Sequence, residues 1–272
     1  MNWCPTDPPT ARDEARLQKR DNAALYDSLG AIYLSPADGF DELAPTYDQR
    51  LAGNPLFAVE SAATLVALPD LRGKTVADIG CGTGRYTLQM ARMGAESVMG
   101  IDLSPEMLSV AARKAERGGL GDFVSWRRGD LLERLPLADG AVDVVVCALT
   151  LSFLPNANGA FPELFRVLAP GGVIVISDYH PHGLAQARAE SAARNGNKDR
   201  SPYLRFTSAQ GDDCRIPQFV HTVSDLFNAG RNAGLTLEHL AEPVAESHIA
   251  NTYAGLRERS GVPLALVARF RK

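Results

Sequence analysis

Short apolar runs alternate with amphipathic stretches through the centre of the chain. The runs at 75–79, 97–101, 142–148 and 173–177 are rich in β-branched residues, which is typical of strands that are buried on both faces of a parallel sheet. Between these runs, apolar residues recur at helical spacing. The alternation predicts an α/β fold with a doubly wound, mostly parallel sheet.

Helices are predicted on either side of these runs. Ser104–Pro105 and Asn54–Pro55 are capping signals, because each places a polar N-cap residue ahead of a first-turn proline. They predict one helix after Asp102 and another over 54–68. Further helices are predicted over 21–34, 85–93 and 161–168, and a final pair of strands over 235–240 and 263–270.

The alternation breaks after the fourth run. The next segment is longer than an ordinary loop, and long insertions at the carboxyl ends of parallel strands usually carry function. A helix over 185–194 and a hairpin with strands at 203–208 and 215–220 predict a lid, built from residues 183–220. A disordered surface excursion is the alternative.

A glycine-rich turn follows the first run. Asp78 precedes Gly80, Gly82 and Gly84, and glycine lets the backbone adopt positive φ and approach a ligand closely. A dinucleotide fingerprint has glycines spaced G-x-G-x-x-G, whereas the third glycine here falls one residue early. The turn therefore predicts a nucleotide-cofactor site and argues against a pyrophosphate.

Acidic residues also end the next two predicted strands. Asp102 closes the run at 97–101, where an acid accepts hydrogen bonds from the ribose hydroxyls of a cofactor. Asp130 lies where a third strand would end, in a position to accept a hydrogen bond from the adenine amino group. Three acids thus end three successive strands.

With these motifs, the chain resembles the class I S-adenosylmethionine-dependent methyltransferases over roughly residues 40–180. Segments 139–148 and 165–172 match the family's fourth strand and the approach to its fifth. The resemblance implies a Rossmann-like, seven-stranded, mostly parallel sheet with an antiparallel edge strand, preceded by N-terminal helices. It also implies S-adenosylmethionine as the cofactor.

The resemblance further implies which residues contact that cofactor. Tyr47 lies in a tyrosine–aspartate pair whose ring closes over the cofactor in this family. Arg50, one helical turn on, either faces the cofactor carboxylate or is a solvated surface residue. The predicted cofactor-binding residues are Tyr47, Arg50, Asp78, Gly80, Cys81, Gly82, Gly84, Asp102, Leu103, Met107, Asp130, Leu131 and Ala148.

Histidines after the fifth strand are the candidate bases. His180 and His182 follow that strand at its carboxyl end, where ligands bind in open α/β sheets, and an imidazole titrates near neutral pH. We predict His180 as the general base, with His182 and His221 as further catalytic candidates. The alternative is that these histidines bond to loop backbone or cap a turn. Tyr26 and Tyr33 are candidates for lining the acceptor pocket.

Composition limits the partners. The 272 residues carry a formal net charge of −4, which gives no overall attraction to nucleic acid, and no apolar run approaches a membrane span. Four isolated cysteines without metal-ligand spacing argue against a metal site and fit a reducing cytoplasm. Residues 1–20 are expected to form a flexible leader, and 21–272 a single domain.

Three functions remain open at this point. The leading hypothesis is methyl transfer to an oxygen, nitrogen or carbon of a small molecule, without a nucleic-acid or membrane partner. The second makes RNA or protein the acceptor, although aromatic residues for base stacking are nearly missing from the insertion. The third is a module that binds S-adenosylmethionine without catalysis. The basic residues that favour the second hypothesis are Arg188, Arg194, Lys198, Arg200 and Arg205.

Overall fold

A seven-stranded sheet forms the centre of the protein. The computed structural model describes residues 25–26, 31–194, 203–245 and 261–272. In chain order, the strands are β1 (Leu25–Tyr26), β2 (Ile32–Tyr33), β3 (Thr75–Ile79), β4 (Ser97–Asp102), β5 (Val124–Arg128), β6 (Val142–Ala148), β7 (Leu168–Tyr179), β8 (Tyr203–Thr207), β9 (Asp213–Pro217), β10 (Thr236–Ala241) and β11 (Ala265–Arg271). The order across the large sheet is β10-β11-β7-β6-β3-β4-β5. Pairs from β7 to β5 are parallel, and β11 runs antiparallel to both β7 and β10.

Helices and two apolar layers cover this sheet. The helices are α1 (Pro36–Leu43), α2 (Tyr47–Ala52), α3 (Pro55–Ala67), α4 (Arg85–Arg92), α5 (Pro105–Arg117), α6 (Phe161–Val167), α7 (Pro181–Arg194) and α8 (Val223–Asn232). Successive side chains of a strand point to opposite faces, so β7 supplies Val173 and Val175 to one layer and Ile174 and Ile176 to the other. Among the described residues, no helix has the length and apolar character that a membrane crossing requires.

Most predicted elements of the large sheet are confirmed. The four apolar runs form β3, β4, β6 and β7, although β7 begins earlier than predicted, at Leu168. Both capping signals are confirmed: Asn54 Oδ1 accepts a hydrogen bond from Leu56 N, and Ser104 Oγ accepts one from Met107 N. The sheet is therefore the predicted doubly wound sheet with an antiparallel edge.

The predicted helix over 21–34 is wrong where the structure describes it. Leu25–Tyr26 and Ile32–Tyr33 are strands, whereas residues 21–24 and 27–30, like the predicted leader, lie outside the described residues. β2 runs parallel to β9, with Ile32 opposite Cys214. Pairing with a strand far along the chain thus overrides the local helical spacing.

The insertion and the N-terminal strands form one small sheet, in the order β1-β2-β9-β8. The predicted hairpin is confirmed as antiparallel β8 and β9. α1 packs so tightly on this sheet that a Cβ on Gly39 would lie 2.3 Å from Ile216 Cγ1. Phe206 and Ile216 are buried together with Met107 of α5. The described part of the insertion is therefore an ordered wall, and its closure as a lid stays a prediction.

Candidate active site

The glycine turn after β3 packs against the loop that follows β6. Gly80 has φ +71°, and its amide donates to Ile101 O at 2.8 Å. A Cβ added to Gly80 would lie 2.1 Å from Thr150 Oγ1, whereas one added to Gly82 would meet only the Tyr47 ring, at 3.8 Å. The turn therefore leaves a hollow, lined by backbone, beside Tyr47.

Asp102 ends β4 with its carboxylate facing this hollow. Oδ2 accepts a hydrogen bond from Gly82 N at 2.7 Å, and Oδ1 accepts one from Ser104 N at 2.9 Å. Burial raises the pKa of the Asp102 carboxyl, and the two backbone amides oppose this shift. An ionised carboxylate has about four lone-pair sites, so Asp102 keeps acceptor capacity for hydroxyl groups.

A cavity of about 450 Å³ opens at the carboxyl ends of β3, β4 and β6, the edge at which open α/β sheets bind ligands. The structure brings most of the predicted cofactor-binding residues to this cavity. Those that line it are Tyr47, Gly80, Gly82, Asp102, Leu103, Met107, Asp130, Leu131 and Ala148.

A second group of lining residues is apolar, and we call it the apolar wall. Its members come from α1, the loop after β6 and the end of β9 with the residues that follow it. The apolar wall consists of Pro36, Ala37, Phe40, Phe153, Leu154, Pro155, Pro217 and Phe219. Phe40 packs edge-on against Phe153 and Tyr47, with ring centroids 4.8 and 6.4 Å apart. The sequence did not single out these residues, because their spacing does not distinguish them from core residues.

α2 is fastened over the glycine turn through Asp48. Thr83 Oγ1 donates to Asp48 Oδ1 at 2.6 Å, and Lys114 Nζ of α5 lies 2.8 Å from Asp48 Oδ2. Burial raises the pKa of the Tyr47 phenol to about 12, so this hydroxyl keeps its proton at neutral pH. These contacts fix Tyr47 at the edge of the hollow, where the sequence places it.

Arg50 lies away from the cavity. Its guanidinium donates to Thr207 O at 3.0 Å and lies 5.7 Å from the centre of the Phe206 ring. Arg50 therefore joins α2 to β8, and the geometry gives no support to a contact with the cofactor carboxylate.

Asp78, Cys81 and Gly84 do not line the cavity either. Asp78 Oδ2 accepts hydrogen bonds from Thr87 N and Thr87 Oγ1, at 2.8 and 2.6 Å. Asp78 thereby holds the first turn of α4, and burial raises its carboxyl pKa to about 6. Cys81 is buried beneath the turn, and Gly84 lies against the Trp126 ring, where a Cβ would come within 2.9 Å of Cη2. These three residues shape the turn from behind.

The structure does not bring the three candidate catalytic histidines to the cavity. His180 Nδ1 accepts a hydrogen bond from His182 N, so Nε2 carries the hydrogen that binds Glu242 Oε1 at 2.9 Å. The His182 side chain is exposed. His221 Nε2 lies 2.9 Å from Leu151 O and 3.0 Å from Leu154 O. The geometry thus gives no support to His180 as the base.

The two tyrosines that were candidates for lining the acceptor pocket are not found in the described cavity lining. Tyr33 lies outside the cavity lining, and its hydroxyl accepts a hydrogen bond from Arg215 Nη1 at 2.6 Å. The side chain of Tyr26 lies outside what the structure describes. Within the described ranges, no cluster of three or more histidine, cysteine or acidic side chains has the geometry to hold a metal ion.

Replacing buried Asp178 by asparagine should stabilise the protein at pH 8 by up to about 3 kcal/mol. Burial raises the pKa of this carboxyl from 3.8 to about 6, with Ser152 and His221 opposing the shift. The folded state therefore favours the protonated acid, and the stability it contributes is complete below pH 4 and lost as the pH rises through 6. Urea unfolding at pH 4 and pH 8 measures the difference between the two proteins.

The matched control for this substitution is Asp122→Asn, because Asp122 is exposed. It should change the free energy of unfolding little at either pH. An equal effect of Asp178→Asn at pH 4 and pH 8 would contradict the assignment of a raised pKa.

Comparison with known proteins finds a domain that matches the centre of the chain. The model of a methyltransferase domain matches residues 77–176, which include the glycine turn, Asp102, Asp130 and the end of β6. The match covers less than half of the chain. It agrees with the resemblance to the class I S-adenosylmethionine-dependent methyltransferases, and S-adenosylmethionine is the cofactor that this resemblance implies.

Proteins similar to this chain include methyltransferases. The chain is 37% identical to a demethylmenaquinone methyltransferase of Thermus thermophilus over 147 residues, 52% of this chain and 64% of that protein. It is 39% identical to a ubiquinone biosynthesis O-methyltransferase of Psychrobacter cryohalolentis over 151 residues, 54% and 58% of the two lengths. The alignments thus span less than two thirds of these relatives. A crystal structure of an S-adenosylmethionine-dependent methyltransferase from Mesorhizobium loti shares the fold, with a TM-score of 0.62 and 24% identity, covering 82% of this chain and all of that one.

The cavity residues fit S-adenosylmethionine. The hollow at Gly82 is the kind of backbone cradle that a side chain would fill. Asp102 and Asp130 offer acceptors for the ribose hydroxyls and the adenine amino group, and Leu103, Met107 and Leu131 offer apolar surface between them. These individual contacts stay predictions.

Proposed function

We propose that this protein is a methyltransferase that transfers the methyl group of S-adenosylmethionine to a small, largely apolar acceptor held against the apolar wall. The observation that carries the proposal is the lining of the cavity, where aromatic, leucine and proline side chains stand next to the cofactor-binding residues. An apolar lining with few polar groups is typical of small-molecule sites.

The chain's own residues act in this reaction by binding and by excluding water. When bound, S-adenosylmethionine supplies a sulfonium that makes its methyl group electrophilic. Asp102 and Asp130 hold the nucleoside, while the apolar wall orients the acceptor for in-line attack and keeps water out. Tyr47 keeps its proton and is able to donate a hydrogen bond.

The described lining of the cavity gives little support to removal of a proton from the acceptor by a side chain. The described lining side chains that titrate are Tyr47, Asp102 and Asp130, and none of them is an imidazole. We therefore infer an acceptor that ionises readily by itself, such as a ring compound with an acidic hydroxyl. Its ionised oxygen, or the ring carbon beside it, then attacks the methyl group. The names of two relatives, which act on demethylmenaquinone and in ubiquinone biosynthesis, support a ring acceptor of this kind.

A labelling experiment tests the proposal. The protein is incubated with S-adenosylmethionine labelled in the methyl group, together with hydroxylated naphthalenes and benzenes, bulk RNA or a protein extract. We expect label in the organic extract of the small-molecule arm, and mass spectrometry then locates the methyl group. Label in RNA or protein alone, or cofactor binding without transfer in every arm, would overturn the small-molecule function.

A further inference from the structure

Two segments of the apolar wall are bonded to each other through backbone groups and His221. Phe153, Leu154 and Pro155 lie in the loop after β6, whereas Pro217 ends β9 and Phe219 follows it. Phe219 N donates to Ser152 O at 2.7 Å. His221 Nε2 lies 2.9 Å from Leu151 O and 3.0 Å from Leu154 O. The segment that ends the insertion is thus tied to the loop after β6 directly behind the wall.

The direction of the His221 bonds follows from their partners. Carbonyl oxygens only accept hydrogen bonds, so Nε2 carries a hydrogen and donates it to both. The ring is therefore committed to the loop backbone and has no free Nε2 lone pair with which to accept a proton from a substrate.

The loop that His221 holds starts from a strained residue. Leu149 lies at φ +55°, a region that a leucine rarely adopts, and it packs with Leu56, Leu264 and Tyr179. Leu149 N donates to Ser177 O at 2.8 Å, which fixes the start of the loop to β7. Strained backbone persists only where the surroundings hold it. His221 and Phe219 supply the bonds at the far end of the loop.

We propose that His221 is a positioning residue that sets the shape of the apolar wall, and through it the affinity for the acceptor. Its imidazole acts through Leu151 and Leu154 and touches neither the acceptor nor the cofactor. The link to acceptor affinity rests on the proposed function, whereas the fastening of the loop does not. Loss of the imidazole should raise KM for the acceptor and leave both kcat and cofactor affinity nearly unchanged.

Two substitutions separate the imidazole bonds from general packing. His221→Phe fills the space without a donor, and His221→Gln restores an N–H donor near the position of Nε2. Thr222→Val is the matched neighbour, because Thr222 caps α8 and makes no contact with the loop carbonyls that His221 binds. The structural readout is hydrogen exchange at Phe153 N and Leu154 N, which donate to Thr150 O and Leu151 O.

We expect exchange at these two amides to quicken about tenfold in His221→Phe, to recover in His221→Gln and to stay unchanged in Thr222→Val. S-adenosylhomocysteine affinity, measured by calorimetry, should stay within threefold in all three variants. With any ring acceptor that the labelling experiment identifies, KM should rise about tenfold in His221→Phe while kcat stays within threefold.

Three outcomes would overturn the inference. Unchanged exchange in His221→Phe would show that the loop does not depend on the imidazole. Faster exchange throughout β3 and β4 as well, without recovery in His221→Gln, would show a general loss of stability. A fall of 100-fold or more in kcat at constant KM would make His221 catalytic. If no acceptor is found at all, the proposed function fails while the exchange result still decides the fastening of the loop.

Discussion

Replacing Asp102 by asparagine should weaken the binding of S-adenosylhomocysteine by about 10²–10⁴-fold while the fold is retained. The substitution removes the charge that strengthens hydrogen bonds from two ribose hydroxyls, each worth about 1.5–3 kcal/mol. It also leaves one carbonyl oxygen where two carboxylate oxygens now accept from Gly82 N and Ser104 N. Isothermal titration calorimetry measures the affinity, and circular dichroism confirms that the fold is kept.

The matched control for Asp102 is Asp41→Asn. Asp41 Oδ1 accepts hydrogen bonds from Ser104 Oγ and Glu106 N, so it lies close to Asp102 without lining the cavity. An asparagine keeps that oxygen, and affinity should change by less than about threefold. Equal affinity of Asp102→Asn and the wild type would contradict the ribose contact.

Gly80→Ala should abolish measurable binding of S-adenosylhomocysteine and lower the free energy of unfolding by more than about 3 kcal/mol. The positive φ alone costs an alanine about 1–2 kcal/mol. In addition, the new Cβ would lie 2.1, 2.6 and 2.9 Å from three atoms of the Thr150 side chain, so the turn or the loop after β6 must move. Urea unfolding and calorimetry measure the two effects.

Gly73→Ala isolates the cost of the positive φ. Gly73 has φ +67°, and an added Cβ meets nothing within 4 Å. This variant should lose about 1–2 kcal/mol and bind the ligand normally. The double variant Gly80→Ala/Thr150→Gly should recover part of the lost binding, because all three clashing atoms belong to Thr150. A Gly80→Ala protein as stable as Gly73→Ala would show that the clash does not matter.

The sequence predicts the half of the cavity that is built from local patterns. β3, the glycine turn and Asp102 are each recognised from a few consecutive residues. A short apolar run marks a strand, and the glycines or the acid mark its end. Asp130 and Met107 follow from the same strand-and-helix units. The residues among them that line the cavity meet there because the carboxyl ends of parallel strands lie at one edge of a sheet. They are Gly80, Gly82, Asp102, Met107 and Asp130.

The apolar wall escapes such prediction because it depends on contacts between distant segments. Phe40, Phe153 and Phe219 come from three separate parts of the chain, and each has the local pattern of a core residue. The same cause explains the predicted helix over 21–34, where pairing of Ile32 with Cys214 decides the structure. Local spacing likewise does not reveal that His180 binds Glu242 instead of facing the cavity.

Because β2 pairs with β9, the two chain segments that form the proposed acceptor side of the cavity have to be exchanged together in protein engineering. A chimera that exchanges only the insertion would pair β2 with a strand from another protein. It would also replace Ile216, which packs so closely on Gly39 of α1 that a larger side chain at either position would not fit. Acceptor preference should therefore move between relatives only when residues 31–46 and 203–221 are transplanted together. The cofactor half, from the glycine turn to Asp130, can stay as it is.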